Sequence, residues 1–74
     1  MEFAIPQESN VHLQIFDING RLVKELANSK MNAGFYNFDW NGTDSNGTKV
    51  SSGIYFYKLE TEGFSQTKKM IFLK

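Results

Sequence analysis

Apolar and polar residues alternate along most of this chain with a period of two, the pattern of strands that bury one face. Val11, Leu13 and Ile15 alternate with His12, Gln14 and Phe16. Tyr36, Phe38 and Trp40 repeat the pattern, with Phe35, Asn37 and Asp39 on the other side. Gly53 to Leu59 is the densest β-forming run. Tyr55, Tyr57 and Leu59 share one face and Ile54, Phe56 and Lys58 the other. Both faces carry bulk, which predicts a central strand. Ser65 to Leu73 reads as the last strand, and Phe3 to Ile5 as a short extended segment ended by Pro6, which lacks an N–H. No segment carries an apolar stripe of period 3.6 long enough for a helix.

Turn residues separate these runs. Asn19-Gly20 joins Val11–Phe16 to a second strand at about Arg21 to Leu26, and the pair predicts a hairpin with a type I′ turn. Ala27 to Ala33 reads as a polar connection. Asn41 to Thr48 contains two Asn-Gly pairs and reads as a loop. Lys49 to Ser51 predicts a very short strand. About seven short strands, with a turn signal every eight to twelve residues, predict an all-β antiparallel sandwich. Its two sheets meet across Val11, Leu13, Ile15, Tyr36, Phe38, Trp40, Tyr55, Tyr57 and Leu59.

Length and composition narrow the function. Seventy-four residues make one small domain, expected to be a piece of a longer protein. Eight basic and eight acidic residues cancel, and no basic block argues for nucleic acid as a partner. There is no Cys, so neither disulfides nor thiolate metal sites are available. No apolar run approaches a membrane helix. The start lacks the basic and apolar regions of an export signal peptide.

Candidate chemistry is sparse. His12, the one histidine, sits mid-strand without a partnered Ser or Cys and reads as a solvated strand residue. The carboxylates are scattered, and Asp17 and Asp44 fit turn roles. The oxygen-rich stretch Asp39 to Gly47 departs from the EF-hand spacing and reads as turns rather than a calcium site. Seven Phe, three Tyr and one Trp could suggest a sugar platform. Most fall at core positions, leaving Phe16, Phe35 and Phe64 for a surface. The expectation is a non-catalytic domain with no metal, no cofactor and no small-molecule substrate.

The order of motifs is more specific than any one of them. Asp17-Ile-Asn-Gly-Arg21 follows the first strand. Trp40-Asn-Gly42, Asp44-Ser-Asn-Gly47 and Gly53-Ile-Tyr55 come next, and Thr67 to Lys74 closes the chain. From about Ile5 to Lys74 this resembles the type A C-terminal sorting domains of type IX secretion cargo in Bacteroidetes-type bacteria. The resemblance implies an immunoglobulin-like sandwich that acts as a secretion signal. It would direct its parent protein across the outer membrane for surface attachment or release. The implied partners are the type IX outer-membrane machinery and a sortase-like protease. The implied location is periplasmic in transit, then the cell surface or the medium. Gly53, Ile54, Tyr55, Lys68, Lys69 and Lys74 become the recognition candidates, while Asp17, Gly20 and Arg21 match the family's structural turn. Of the family's proline signatures before the first strand only Pro6 is present. The chain is also similar to the immunoglobulin-like domain of flagellar hook-cap proteins, which shares Trp-Asp-Gly, Asp-x-x-Gly and Gly-x-Tyr, here with Trp40-Asn41-Gly42. The alternatives to a sorting signal are therefore a hook-cap-like or generic immunoglobulin-like structural module, or a small carbohydrate-binding module.

Overall fold

A computed structural model describes all 74 residues. Six strands form: β1 (Glu2–Ile5), β2 (Ser9–Asp17), β3 (Leu22–Met31), β4 (Gly34–Asn37), β5 (Gly53–Glu60) and β6 (Ser65–Phe72). β1 and β4 make a two-stranded sheet, and the other four form a sheet in the order β3-β2-β5-β6. Every pairing is antiparallel. The architecture is the expected immunoglobulin-like sandwich, with six strands rather than seven.

Alternation builds the core. Val11, Leu13 and Ile15 are almost wholly buried, as are Tyr55 and Leu59 on β5. The register sets Leu13 beside Leu59 and Ile15 beside Tyr57. Ile5 joins Val11, Leu13 and Leu59 from the smaller sheet. Phe3 stacks on Tyr36 and on Phe38, with ring centroids 5.7 Å apart in each pair. Tyr36, Phe38, Trp40 and Tyr57 are half-buried, so four of the nine expected core positions lie at its margin. The central position expected of Gly53 to Leu59 is observed, with β2 on one side of β5 and β6 on the other.

Four local expectations change. The polar connection expected from Ala27 to Ala33 is strand as far as Met31, where β3 pairs with the start of β2. An edge strand needs no apolar alternation, so Asn28, Ser29 and Lys30 gave no strand signal. The strand expected from Phe35 to Trp40 is β4 only as far as Asn37, although Phe38 and Met1 still exchange two main-chain bonds of 2.9 Å beside it. Lys49 to Ser51 is a single bridge, Thr43 to Lys49, instead of a strand. The first hairpin turn is not type I′, because Asn19 does not have positive φ and Gly20 alone does, at +84°. The Asp17 carboxylate determines this turn, as described below.

β1 and β4 cover only one half of the larger sheet. The other half is covered by the loop between β4 and β5, which is cross-linked within itself and bonded to β3. Trp40 Nε1 donates to the Thr43 carbonyl at 2.8 Å, and Lys24 Nζ donates to Thr43 Oγ1 at 3.0 Å. Val50 N–H donates to the Gly42 carbonyl at 2.9 Å. No buried side-chain polar atom lacks a partner.

Candidate functional site

The same turn is built twice. In Asp17-Ile-Asn-Gly-Arg21, Asp17 Oδ1 accepts from the N–H groups of Asn19 and Arg21 at 2.9 and 3.0 Å. Gly20 N–H donates to the Asp17 carbonyl at 3.0 Å, and Asp17 N–H to the Arg21 carbonyl at 2.9 Å. In Asp44-Ser-Asn-Gly-Thr48, Asp44 Oδ1 accepts from Asn46 and Thr48 at 2.9 and 3.0 Å. The two main-chain bonds recur there at 3.0 and 2.9 Å. Gly20 and Gly47 take φ of +84° and +83°. In each, the carboxylate satisfies two N–H groups that the reversal leaves without strand partners, and glycine supplies the one left-handed residue. The first turn adds Arg21 Nε on Asp17 Oδ2 at 3.0 Å. The Arg21 N–H bond lowers the Asp17 pKa most. Partial desolvation opposes it, and the Arg21 guanidinium and Asn19 N–H reinforce it.

Beyond the second turn lies an aromatic lock. Trp40 meets Tyr55 edge-on at 5.0 Å and Phe72 at 5.1 Å between ring centroids. The Tyr55 hydroxyl donates to the Ser51 carbonyl at 2.7 Å. Gly42, at φ +77°, lies directly beneath the Phe72 ring. Trp40-Asn-Gly42 and Gly53-x-Tyr55 thus fasten the loop to β5 and β6, while the Asp44-x-x-Gly47 turn sits against β3 through Ser45.

The recognition candidates do not gather on one face. Tyr55 is buried, while Ile54 lies on the outer face of the sheet beside Ile71. Lys68 pairs across from Tyr57 on the inner face, Lys69 across from Phe56 on the outer face, and both are exposed. Lys74 donates its backbone N–H to Ser52 Oγ at 3.0 Å. Gly53 opens β5 with nothing within contact distance of an added Cβ.

His12 lies in a polar setting that the sequence did not reveal. Its ring is held between Glu25, which touches Nε2, and Glu60, whose Oε1 lies 3.9 Å from Nδ1. The arrangement ties β3, β2 and β5 together. Glu25 reaches His12 only because a register shift after Leu13 moves β3 along β2, a bulge that alternation does not signal. The adjoining groove is lined by Asn10, Asn28, Glu60, Thr61 and Glu62 and holds about 260 Å³. That is smaller and more polar than a typical ligand pocket of roughly 300–1,000 Å³. Thr61 Oγ1 accepts from the N–H groups of Gly63 and Phe64, so the hydroxyl serves the β5–β6 turn.

Two of the loop's side-chain oxygens are likewise committed to the loop. Asp44 Oδ1 is occupied as described, and Asn41 Oδ1 accepts from Thr43 Oγ1 at 2.6 Å. The three surface aromatics lie apart. Phe16 is half-buried on the outer face of β2, Phe35 is 91% exposed on β4, and Phe64 is in the β5–β6 turn. They make no common platform for a sugar.

Comparison with known families places these motifs. The model of the FlgD Ig-like domain matches residues 2–63. No curated protein and no solved structure matches the chain. The match overturns the resemblance to type IX sorting domains, and with it the type IX machinery and sortase-like protease as partners. The physical reason is visible in the lock. Two of the motifs that carried that resemblance, the Asp17–Arg21 turn and Gly53-Ile-Tyr55, hold the sandwich itself together, and the third, the lysine-bearing closing strand, lies outside the matched residues.

Proposed function

This chain belongs to the FlgD Ig-like domain family, and from that premise we propose that it is a non-catalytic immunoglobulin-like structural module of a larger flagellar hook-related protein. The match across residues 2–63 carries this reading. The geometry supports it. The family-type motifs build a rigid scaffold, and the two His12–carboxylate contacts bridge strands beside a shallow polar groove. Under this reading the domain works at the cell surface, as a spacer or packing surface.

A domain exchange tests the proposal. In a flagellated bacterium, this 74-residue domain would replace the immunoglobulin-like domain of the resident hook-cap protein. Swimming on soft agar above that of a strain lacking the domain is the expected result. Motility no better than in the deletion strain, with the chimaera expressed and folded, would refute it.

A further inference from the structure

The two edges of the four-stranded sheet are finished differently. β3 is broken by two register shifts against β2, and such bulges twist an edge away from new partners. The loop also reaches it, since the Ser45 N–H and Oγ both donate to the Val23 carbonyl, at 3.0 and 3.2 Å. β6 pairs with β5 residue for residue from Ser65 to Phe72 without a shift. Its far side has no neighbouring strand. Alternate main-chain N–H and C=O groups along β6 are therefore free to take one.

The side chains along this open edge are selective. Lys68, Lys69 and Lys74 make no ion pair, and β6 contains no carboxylate. Beside them Ile71 is 67% exposed and Leu73 is 76% exposed. The register determines what an added strand would meet. An antiparallel strand with two carboxylates opposite Lys69 and Lys68 places its two preceding residues opposite Ile71 and Met70.

We propose that β6 is a docking edge for an extended segment of a partner protein that reads, from its N-terminal side, two apolar residues followed by two acidic ones. Main-chain hydrogen bonds would supply affinity, and the lysines with Ile71 would supply selection. A second copy of this chain fits poorly, because β6 against β6 brings together two strands that each carry lysines and no carboxylate. β6 lies outside the residues matched to the family, so this inference goes beyond the hook-related reading and stands or falls apart from it.

The test is titration of the isotope-labelled 74-residue domain with a short blocked peptide centred on Val-Ile-Glu-Glu. Amide shifts should concentrate in β6 and β5, with slowed amide exchange in β6. Affinity should fall about ten-fold for Lys68→Glu/Lys69→Glu. It should also fall several-fold when salt rises from about 0.05 M to about 0.5 M. If the double variant loses its native spectrum, a peptide with Gln in place of Glu gives the same comparison on the unaltered domain. No shift at about millimolar peptide, equal binding of the Gln peptide, or shifts that map to β3 would each overturn the proposal. So would β6 protection that grows with protein concentration in the absence of peptide, which would assign the edge to a second copy.

Discussion

Gly42→Ala is the sharpest test of the aromatic lock. Gly42 is buried at φ +77°, and a Cβ there would lie 2.7 Å from both Cε1 and Cε2 of Phe72. Two costs add. A left-handed residue with a Cβ costs about 1–2 kcal/mol. Forcing a methyl into a packed contact costs about 1–3 kcal/mol more. The ring has little room to retreat, with Trp40 at 5.1 Å and Tyr55 at 6.4 Å between centroids. The expected loss is about 2–5 kcal/mol, large for a chain whose total stability is roughly 4–11 kcal/mol. Gly47 separates the two terms. It has the same left-handed backbone, at φ +83°, with nothing within 4 Å of an added Cβ. Gly47→Ala should therefore cost only about 1–2 kcal/mol. Urea unfolding followed by far-UV dichroism and Trp40 fluorescence measures both. In a Phe72→Leu background the clashing ring atoms are gone. Gly42→Ala should then cost no more than Gly47→Ala, a coupling of about 1–3 kcal/mol. Equal costs at the two glycines, or strict additivity with Phe72→Leu, would refute the reasoning.

Other outcomes follow from burial and bonding. Leu13→Ala, at a wholly buried position beside Ala27 and Leu59, should cost about 2–5 kcal/mol by urea midpoint. Phe35→Ser, at 91% exposure, should change stability by no more than about 0.5 kcal/mol. Tyr55→Phe removes the 2.7 Å bond to the Ser51 carbonyl and should cost about 0.5–1.5 kcal/mol. Asp17 has its pKa lowered from 3.8 in the folded chain, chiefly by the Arg21 N–H. Its stabilisation is therefore present above 3.8 and lost as pH falls through the lower folded value. A melting-temperature series from about pH 6 to about pH 2 should show a flatter acid limb for Asp17→Asn. Arg21→Ala should perturb stability less than Asp17→Ala, because both backbone bonds to the carboxylate remain.

Much of the sandwich was legible because alternation reports burial directly. Val11, Leu13 and Ile15 announce one inner face, and Tyr55 with Leu59 another. The signal fails where burial does not drive pairing. β3 runs on through Asn28, Ser29 and Lys30 as an exposed edge that needs backbone bonds and no apolar side chains. It fails again at bulges, which move Glu25 to His12 without any mark in the pattern. The Asn19-Gly20 pair pointed to the right place and the wrong turn, because Asp17 two residues earlier bonds the reversal in a conformation with a single positive φ. Family assignment was misled for a related reason. Asp44 and Tyr55, among the residues that suggested a sorting signal, bond only within the sandwich, to Asn46 and to the Ser51 carbonyl.

The placement of Phe72 over Gly42 also sets an order in time. The two residues are 30 positions apart (72 − 42), while β2 and β3 meet through a turn of a few residues. A chain emerging from the ribosome can close the β2–β3 hairpin early, from local contacts. The loop over Trp40 and Gly42 must wait, because its fastening ring arrives only with the end of β6. Until then Trp40 and Tyr55 each lack one of their two aromatic partners, and the half of the sandwich that has no second sheet stays open. Completion of this fold is thus coupled to the arrival of β6, and a released chain cut short before Phe72 would leave that half accessible to chaperones and proteases.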